Sequence, residues 1–432
     1  MGFDSITCNK LVWCTLIIAL WTCTLEGSGH LMSSEGLLPP PKTLLEDPLI
    51  THQRTLVGGG PSNQYQRSLA SLDRPVMGNF ENSSLKIMED VKAGLRYLFQ
   101  TENKWTLALS GGGSLAMDII LDNLVEPGDV VLIPTFGLWG VRAADIVERY
   151  GGIPKKIEAA LGSAFSLKEI EDGIVTYKPA VVYITNGESS TGVHQSLQGV
   201  GELCRKHYCL LVVDLVATIG VIPFHMDSWK VDAVFSNTQK ALGSPTGMAP
   251  ISYGTRSIEK ITSRKTKPKS YFADLKNNWI RNNYWGISDP GAAQTFHSSY
   301  PILQIYALRE ALASIATEGL AHGWARHFDA TAKLYTAIDN MTTIEGGSGV
   351  TYFVSRAEHR LTGTVALLPP KGLDPKELMN LIRQMYSIEI NIGIGPMTGK
   401  IIRIGVLGPN ARPDIVDEIV SAIKYGLKNL KK

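Results

Sequence analysis

A repeated alternation of apolar strands with amphipathic helices constrains the fold of this chain more than any other feature. From residue 105 onwards, short runs rich in valine, isoleucine and leucine are separated by helical stretches. Continuously apolar strands that are joined by helical crossovers form a mainly parallel sheet with helices on both faces. The predicted strands are 106–109, 130–134, 180–185, 210–214, 231–235 and 249–253, and the predicted helices include 85–99, 115–124, 139–150 and 197–207.

The C-terminal part of the chain has a different pattern and predicts a smaller α+β domain. A long helix leads into strands at 363–368, 388–392 and 401–406 and helices at 375–386 and 414–427. A chain of 432 residues is long enough to hold two such cores. We therefore expect an apolar leader and linker at 1–38, an N-terminal arm at 39–62, a large domain at 63–313 and a small C-terminal domain at 314–432.

Charge, cysteine content and the N-terminal segment limit the classes of function. The formal net charge is +2, which gives no basis for binding nucleic acid. Three of the five cysteines lie in the first 25 residues, and no Cys/His cluster has the spacing of a zinc site. The apolar run at 11–25 is short for a membrane span and typical of a signal peptide. The location of the protein therefore has two alternatives. The leader directs secretion or anchors the protein to a membrane, or translation begins at Met32 and the leader is absent.

Chemically distinctive residues follow the predicted strands of the large sheet. Open α/β sheets place their sites at the carboxyl ends of the strands. Asp214 ends the run LLVVD, and Trp139 follows an earlier strand. Lys240 follows the strand at 231–235 in a loop of small residues, where desolvation would lower its pKa and favour the neutral, nucleophilic amine. The glycine-rich turn SGGGS at 110–114 precedes a helix and offers backbone N–H groups to a phosphate.

Together these residues predict a site for pyridoxal 5′-phosphate. That cofactor needs a lysine for its aldehyde, an acid for its pyridine nitrogen, a stacking ring and a phosphate cup. Lys240 would form the Schiff base and carry the proton at the substrate's Cα, and Asp214 would keep the ring nitrogen protonated. No metal is required. Each residue alone also has an ordinary explanation, such as an exposed lysine in a turn or a tryptophan in the core.

Several longer motifs, in the same order, resemble one known family. The chain resembles the class V, fold type I, pyridoxal-phosphate aminotransferases from about residue 39 to the C-terminus. Within that family it is most similar to the alanine–glyoxylate and serine–pyruvate aminotransferases and their insect 3-hydroxykynurenine transaminase relatives. The motifs are GPSN at 60–63, LRYLFQTEN at 95–103, VEPGD at 125–129, GESSTG at 187–192, LLVVDLVATIG at 210–220, SNTQKALGSPTG at 236–247, SRKTKPKSYFADLK at 263–276 and GPMTGKIIRIGVLG at 395–408.

The resemblance implies roles for individual residues. Arg403 would bind the substrate carboxylate, and on a strand it points away from Ile402 and Ile404, as a guanidinium fork facing a site should. A salt bridge between domains is the alternative for Arg403. The implied catalytic residues are Lys240 and Asp214. The implied cofactor-binding residues are Gly112, Gly113, Ser114, Trp139, Ser190, Asp214, Val216, Gln239, Lys240 and Ser299, and the implied substrate-side residues are Arg403, Asn79 and Gly60.

The phosphate turn departs from the family pattern, which reads SGSGH or SGSAH. Here Gly112 replaces a serine and Ser114 replaces the histidine. In the family a neighbouring subunit adds two hydroxyl groups to the phosphate; those positions are Phe296, which lacks the hydroxyl, and Ser299, which keeps one. Each lost hydrogen bond would cost about 1.5–3 kcal/mol, so we expect weaker cofactor binding. The same resemblance implies a homodimer in which the arm at 39–61 wraps the partner.

These observations lead to one main hypothesis of function and two alternatives. The main hypothesis is a ping-pong aminotransferase that moves an amino group from alanine or serine to a 2-oxo acid such as glyoxylate, with kynurenine or 3-hydroxykynurenine as an alternative donor. The family implies glyoxylate detoxification in a peroxisomal or cytoplasmic location. A catalytically silent secreted or membrane-tethered relative is the second hypothesis, based on the leader and the altered phosphate turn. Cysteine desulfuration is disfavoured because Cys204 and Cys209 lie away from the strand ends.

Overall fold

The computed structural model describes residues 38–343 and 349–430. The predicted leader at 11–25 and the alternative start at Met32 lie outside the described residues. Residues 38–52 belong to a compact unit of their own, in which the structure describes one short exposed helix, α1 (Lys42–Glu46). Gln53–Lys432 forms the other compact unit, and it contains the predicted sheets.

The helices and strands of this second unit follow the predicted alternation closely. Among the described residues, no helix is both long enough and apolar enough to cross a bilayer. The α-helices are α2 (Gln66–Ala70), α3 (Asn82–Phe99), α4 (Gly113–Leu124), α5 (Leu138–Arg149), α6 (Leu167–Tyr177), α7 (Val200–Lys206), α8 (Thr255–Ser263), α9 (Ile302–Glu318), α10 (Leu320–Thr343), α11 (Pro375–Tyr386) and α12 (Pro413–Leu430). The strands are β1 (Thr55–Leu56), β2 (Trp105–Ser110), β3 (Val130–Thr135), β4 (Ile153–Glu158), β5 (Val181–Thr185), β6 (Gly187–Glu188), β7 (Val193–His194), β8 (Leu210–Asp214), β9 (Ala233–Phe235), β10 (Met248–Tyr253), β11 (Thr351–Tyr352), β12 (Thr364–Leu368), β13 (Ile388–Glu389), β14 (Asn391–Ile392) and β15 (Ile402–Gly405).

The larger sheet has seven strands in the order β2-β10-β9-β8-β5-β3-β4. The pairs formed by β3, β4, β5, β8 and β9 are parallel, and β10 is antiparallel to both of its neighbours. Strands β5, β8, β9 and β10 are buried along their whole length, as expected for a sheet covered on both faces. The prediction of a mainly parallel sheet covered on both faces is therefore confirmed.

Strand β4 and helix α6 are two of the elements of this unit that the sequence analysis did not predict. Strand β4 lies at the edge of the sheet, where it pairs with β3, and its sequence IPKKIE is only half-buried. Proline and lysine are typical of edge strands, so no apolar run marks it. Helix α6 begins with a capping box in which the Ser166 hydroxyl accepts from the Glu169 amide. That pattern, S-x-x-E, was available in the sequence.

A second, antiparallel sheet has the order β11-β12-β15-β14 and packs against α10, α11 and α12 around its own apolar core. The single strand predicted at 388–392 is wrong. Its first half, β13, pairs with β1 in parallel, and its second half, β14, pairs with β15. The strand divides at the buried Ile390 because the backbone of each half bonds to a different partner. The domain boundary predicted at 313/314 falls within the continuous helix α9, and the proposed division into domains stays a prediction.

His327 ties α10 to the loop that follows β15. The ring is 2% exposed, its Nδ1–H donates to the Gly323 carbonyl at 2.7 Å, and its Nε2 accepts from the Gly408 amide at 2.9 Å. Because Nε2 must be unprotonated to accept, this arrangement requires the neutral ring. Burial lowers the pKa of His327 to about 4, and the nearby charge of Arg326 adds to the effect.

We expect His327 to make folding acid-sensitive. In the unfolded chain its pKa is about 6.5, so its contribution to stability is present above pH 6.5 and is lost as the pH falls towards 4. The difference between the folded and unfolded pKa values of His327 corresponds to roughly 3 kcal/mol of unfolding free energy. Urea unfolding of the wild type and of His327→Gln between pH 7.5 and 4.5 measures it. The variant should be less stable at pH 7.5, and the gap should narrow in acid; a gap that does not change with pH would contradict this role.

Candidate active site

The carboxyl ends of the parallel strands meet beside one cavity. The strand register places Thr185, Asp214 and Phe235 next to one another, at the ends of β5, β8 and β9. The cavity has a volume of about 460 Å³, within the range of small-molecule sites. Most of the residues predicted for the site line it: Gly60, Gly113, Ser114, Trp139, Asp214, Val216, Gln239, Lys240 and Arg403.

The other predicted residues do not line the cavity. Gly112 is the residue before helix α4, and Ser190 is fully buried behind the wall, where its neighbour Ser189 takes the lining position. Asn79 is half-buried in the loop before α3, and Ser299 is exposed, close in sequence to the exposed Phe296.

Lys240 lies in the loop after β9 and is 7% exposed. Its Nζ donates to Ser189 Oγ at 3.0 Å. Burial lowers the pKa of Lys240 to about 8, with the positive charge of Arg403 acting in the same direction. A substantial fraction of the amine is therefore neutral near physiological pH, which is the form that attacks carbonyl carbon and accepts protons. Gly60, with φ of +109°, makes room for this side chain, since a Cβ there would lie 2.9 Å from Lys240 Cε.

Asp214 ends β8 and is 3% exposed. Its Oδ1 accepts from the Val216 amide at 2.8 Å, and its Oδ2 accepts from the Tyr183 hydroxyl at 3.3 Å. Burial raises the pKa of Asp214 to about 6, against the opposing effect of the Val216 hydrogen bond and the Lys240 charge. The carboxylate is therefore ionised at neutral pH and can accept a hydrogen bond from a protonated ring nitrogen.

Trp139 lies in the first turn of α5 and forms one wall of the cavity. Its indole N–H donates to Ser189 Oγ at 3.1 Å, so one hydroxyl oxygen accepts from both Trp139 and Lys240. The Arg142 guanidinium lies 4.7 Å from the centre of the indole ring. The ring is thus held by a hydrogen bond at its edge and by a cation–π contact.

The end of the cavity beside helix α4 suits an anion. Helix α4 begins here, and no side chain caps its first N–H groups, which leaves donors and a partial positive charge for a bound phosphate. Ser114 Oγ accepts from Arg142 Nη1 at 3.1 Å. Gln239 also lines the cavity, and its side-chain N–H₂ group is a donor for a phosphate oxygen. Together with Lys240, Asp214 and Trp139, this end completes a set of groups that fits pyridoxal 5′-phosphate.

Arg403 lies on β15 and points into the cavity, whereas its neighbours Ile402 and Ile404 pack in the core. It is 5% exposed, and it donates to the carbonyls of Ile392 and Ser189, both at 3.0 Å. Among the described residues no carboxylate forms a salt bridge with Arg403. The alternative role of Arg403, an ion pair between domains, therefore has no acidic partner there. Burial lowers the pKa of Arg403 to about 10. A carboxylate on a ligand would offset this buried charge.

The sequence analysis missed several residues around the site, among them Arg142, Ser189, Tyr183 and Glu188. Ser189 connects Lys240 and Trp139, and Tyr183 donates to Asp214. Glu188 is 1% exposed, and its carboxylate accepts from the Trp139 amide. One signal was present in the sequence: Glu188 is a carboxylate shortly after the predicted buried strand at 180–185, where it must be hydrogen-bonded or paired.

Comparisons with known proteins identify the family of the chain. The family model of class V aminotransferases matches residues 60–403. The chain is 38% identical to an alanine–glyoxylate aminotransferase of Rattus norvegicus over 401 residues, 93% of this chain and 94% of the relative. The crystal structure of an alanine–glyoxylate aminotransferase from Nostoc sp. matches with a TM-score of 0.83 at 35% identity, covering 90% of this chain and 100% of that one. The crystal structure of a ureidoglycine–glyoxylate aminotransferase from Bacillus subtilis matches with a TM-score of 0.81 at 32% identity, covering 88% of this chain and 95% of that one. The chain belongs to the class V aminotransferase family.

Proposed function

We propose that this protein uses pyridoxal 5′-phosphate to transfer an amino group from alanine or serine to glyoxylate. The observation that carries the proposal is one cavity lined by a buried lysine, a buried aspartate, an indole and a buried arginine that has no carboxylate partner among the described residues. A ping-pong reaction uses one such pocket twice, because the amino donor and the oxo acceptor both present a carboxylate to the same arginine.

The residues present would hold the cofactor in one orientation. When bound, it supplies an aldehyde that links to amines and a ring that withdraws electrons from the substrate's Cα. Lys240 would hold the aldehyde carbon, Asp214 the ring nitrogen, and Gly113, Ser114 and Gln239 the phosphate. Trp139 would cover one face of the ring and Val216 the other.

The remaining steps belong to the chain's own side chains. Arg403 would bind the carboxylate of the substrate and so fix the orientation of the other groups on Cα. Lys240 Nζ, near neutral pH partly unprotonated, would carry a proton from the Cα of the amino donor to the carbon that bore the cofactor's aldehyde oxygen, and with the oxo acid it would carry a proton in the reverse direction, to Cα. Asp214 stays ionised above about pH 6 and stabilises positive charge on the ring nitrogen.

The choice of substrates is supported by the relatives and by Arg403. The two kinds of relative differ in their amino donors, alanine and ureidoglycine, but both are named for glyoxylate as a substrate. Glyoxylate is the smallest 2-oxo acid, and Arg403 needs only its carboxylate.

Transfer of ¹⁵N from labelled donors tests the substrate pair. Alanine, serine and 3-hydroxykynurenine are each offered with glyoxylate and with pyruvate, and the products are followed by mass spectrometry. We expect [¹⁵N]glycine from alanine or serine with glyoxylate. Transfer from 3-hydroxykynurenine alone would favour the alternative donor. No transfer from any donor, by protein that binds the cofactor, would favour the catalytically silent relative.

We also propose that the active unit is a homodimer. Phe296 and Ser299 lie at the surface, which suits a segment that completes a neighbouring subunit's site, as the resemblance to the family implies. Phe296 is 63% exposed in the single chain. Sedimentation of Phe296→Asp should show a weakened dimer, and the variant should bind the cofactor less tightly in proportion to the loss of dimer. A dimer and a cofactor affinity that both stay at wild-type values would contradict this assignment.

The hydrogen bond from Tyr183 to Asp214 leads to a prediction about how kcat/KM depends on pH. The Tyr183 hydroxyl helps to lower the pKa of Asp214 against burial, so Tyr183→Phe should raise that pKa. We expect the acidic limb of the kcat/KM profile to move to higher pH by about half a unit to one unit, which is roughly 0.7–1.4 kcal/mol. Tyr253→Phe is the matched control, because Tyr253 is also fully buried but its hydroxyl has no partner among the described residues. Identical acidic limbs in Tyr183→Phe and the wild type would exclude this role.

A further inference from the structure

Glu188 is a buried carboxylate at the site to which no role has been given above. It lies on β6, in the hairpin that follows β5, and is 1% exposed. Its Oε2 accepts from the Trp139 amide at 3.0 Å. Its Oε1 accepts from both the amide of Ser190, at 3.0 Å, and the hydroxyl of Ser190, at 2.5 Å.

These contacts form a helix cap that comes from another element. Helix α5 begins after Gly137, and no side chain of its own caps it. The Ser190 hydroxyl accepts from the Leu138 amide at 3.0 Å, and Glu188 accepts from the next amide, that of Trp139. The absence of a side chain at Gly137 leaves room for the acid, since a Cβ there would lie 2.3 Å from Glu188 Cδ. Glu188 and Ser190 thus supply the acceptors that an N-cap residue normally supplies.

The same turn fixes both ends of Trp139. Glu188 holds its backbone N–H, and Ser189 holds its indole N–H at 3.1 Å. We propose that Glu188 is a positioning residue that sets the height and tilt of the Trp139 indole over the cofactor, an inference that rests on the proposed function. Glu188 does not line the cavity and acts through Trp139.

The positively charged groups around Glu188 also favour its position at the start of α5. The charged groups that face it are the cations of Lys240 and Arg403 and the carboxylate of Asp214. The positive end of α5 also favours an anion at this position. Burial raises the pKa of Glu188 to about 7, and the three hydrogen bonds that it accepts favour the ionised form.

The test uses Glu188→Gln, which keeps the shape but places an N–H₂ group against donors. The matched control is Glu169→Gln, because Glu169 also completes a helix cap, at the start of α6 and away from the cavity. The affinity of the cofactor-free protein for pyridoxal 5′-phosphate is measured by fluorescence quenching, together with the visible circular dichroism of the loaded protein. We expect affinity to fall about tenfold and the dichroic band to shrink in Glu188→Gln, with neither change in Glu169→Gln.

A second measurement does not depend on the cofactor. In protein labelled with 5-fluorotryptophan, the ¹⁹F signal of Trp139, assigned with Trp139→Phe, should shift or broaden in Glu188→Gln. Ser190→Ala leaves the Glu188 carboxylate in place and should change the ¹⁹F signal of Trp139 in the same way at smaller amplitude. This variant replaces Glu188→Gln in the test if Glu188→Gln fails to fold. An unchanged ¹⁹F signal in either folded variant would overturn the proposal. Failure of the wild type to bind pyridoxal 5′-phosphate would instead refute the proposed function, while the ¹⁹F signal would still decide the role of Glu188.

Discussion

Replacing Lys240 with methionine should lower the rate of transamination by about 10⁴-fold, the upper range for loss of an acid–base group. The methionine fills the same buried space, but it can neither hold the cofactor covalently nor move the proton at Cα. The variant should also lose the visible absorbance band of the attached cofactor. Both effects follow from one nitrogen, which donates to Ser189 Oγ and carries a pKa lowered by burial.

Lys92→Met is the matched control for this experiment. Lys92 is also buried, and its Nζ donates to the Trp285 carbonyl outside the cavity. This variant should lose stability but keep its absorbance band and its rate per folded molecule. Equal losses of activity in both variants would mean that the lysines act only through folding, and the assignment of Lys240 would then fail.

Replacing Arg403 with methionine should raise KM for both the amino donor and the oxo acid. Removing one partner of a buried charge pair costs about 2–4 kcal/mol, which corresponds to roughly 30- to 1000-fold. Arg403→Lys should restore only part of the lost substrate binding, because an ammonium cannot reproduce the guanidinium fork. Steady-state kinetics with alanine and glyoxylate measures both variants.

Two controls separate carboxylate binding from general damage to the fold. Arg264→Met removes another buried guanidinium, one that donates to the Asn123 and Val125 carbonyls, and KM should stay unchanged in the folded fraction. Ethylamine, which lacks a carboxylate, should react equally slowly with the wild type and with Arg403→Met. A large difference between the two proteins towards ethylamine would show that Arg403 does something other than bind the carboxylate.

The sequence predicted the central part of this site because its residues stand at strand ends. An apolar run that stops at an aspartate, as LLVVD stops at Asp214, identifies both a buried strand and the edge at which it ends. Lys240 was found by the same argument applied to the next strand. The opposite orientation of Arg403 and its isoleucine neighbours also follows from the two-residue period of a strand.

Features that depend on tertiary pairing could not be read in the same way. The division of 388–392 into β13 and β14 is set by which strands lie beside each half, and those strands are distant in the sequence. In the tight turn at 188–190 a one-residue difference decides whether a serine faces the cavity, and Ser189 rather than Ser190 lines it. The link between Glu188 and the start of α5 joins positions 49 residues apart, and no local pattern encodes it.

The most direct test of the central claim is to identify the residue that carries the cofactor. Borohydride reduction of the loaded protein makes the link between aldehyde and amine permanent, and digestion followed by mass spectrometry locates the added mass. We predict that the mass lies on Lys240 alone and that excess alanine, added before reduction, abolishes it. A cofactor attached to a different lysine, or an unmodified Lys240 in protein that binds the cofactor, would contradict the account.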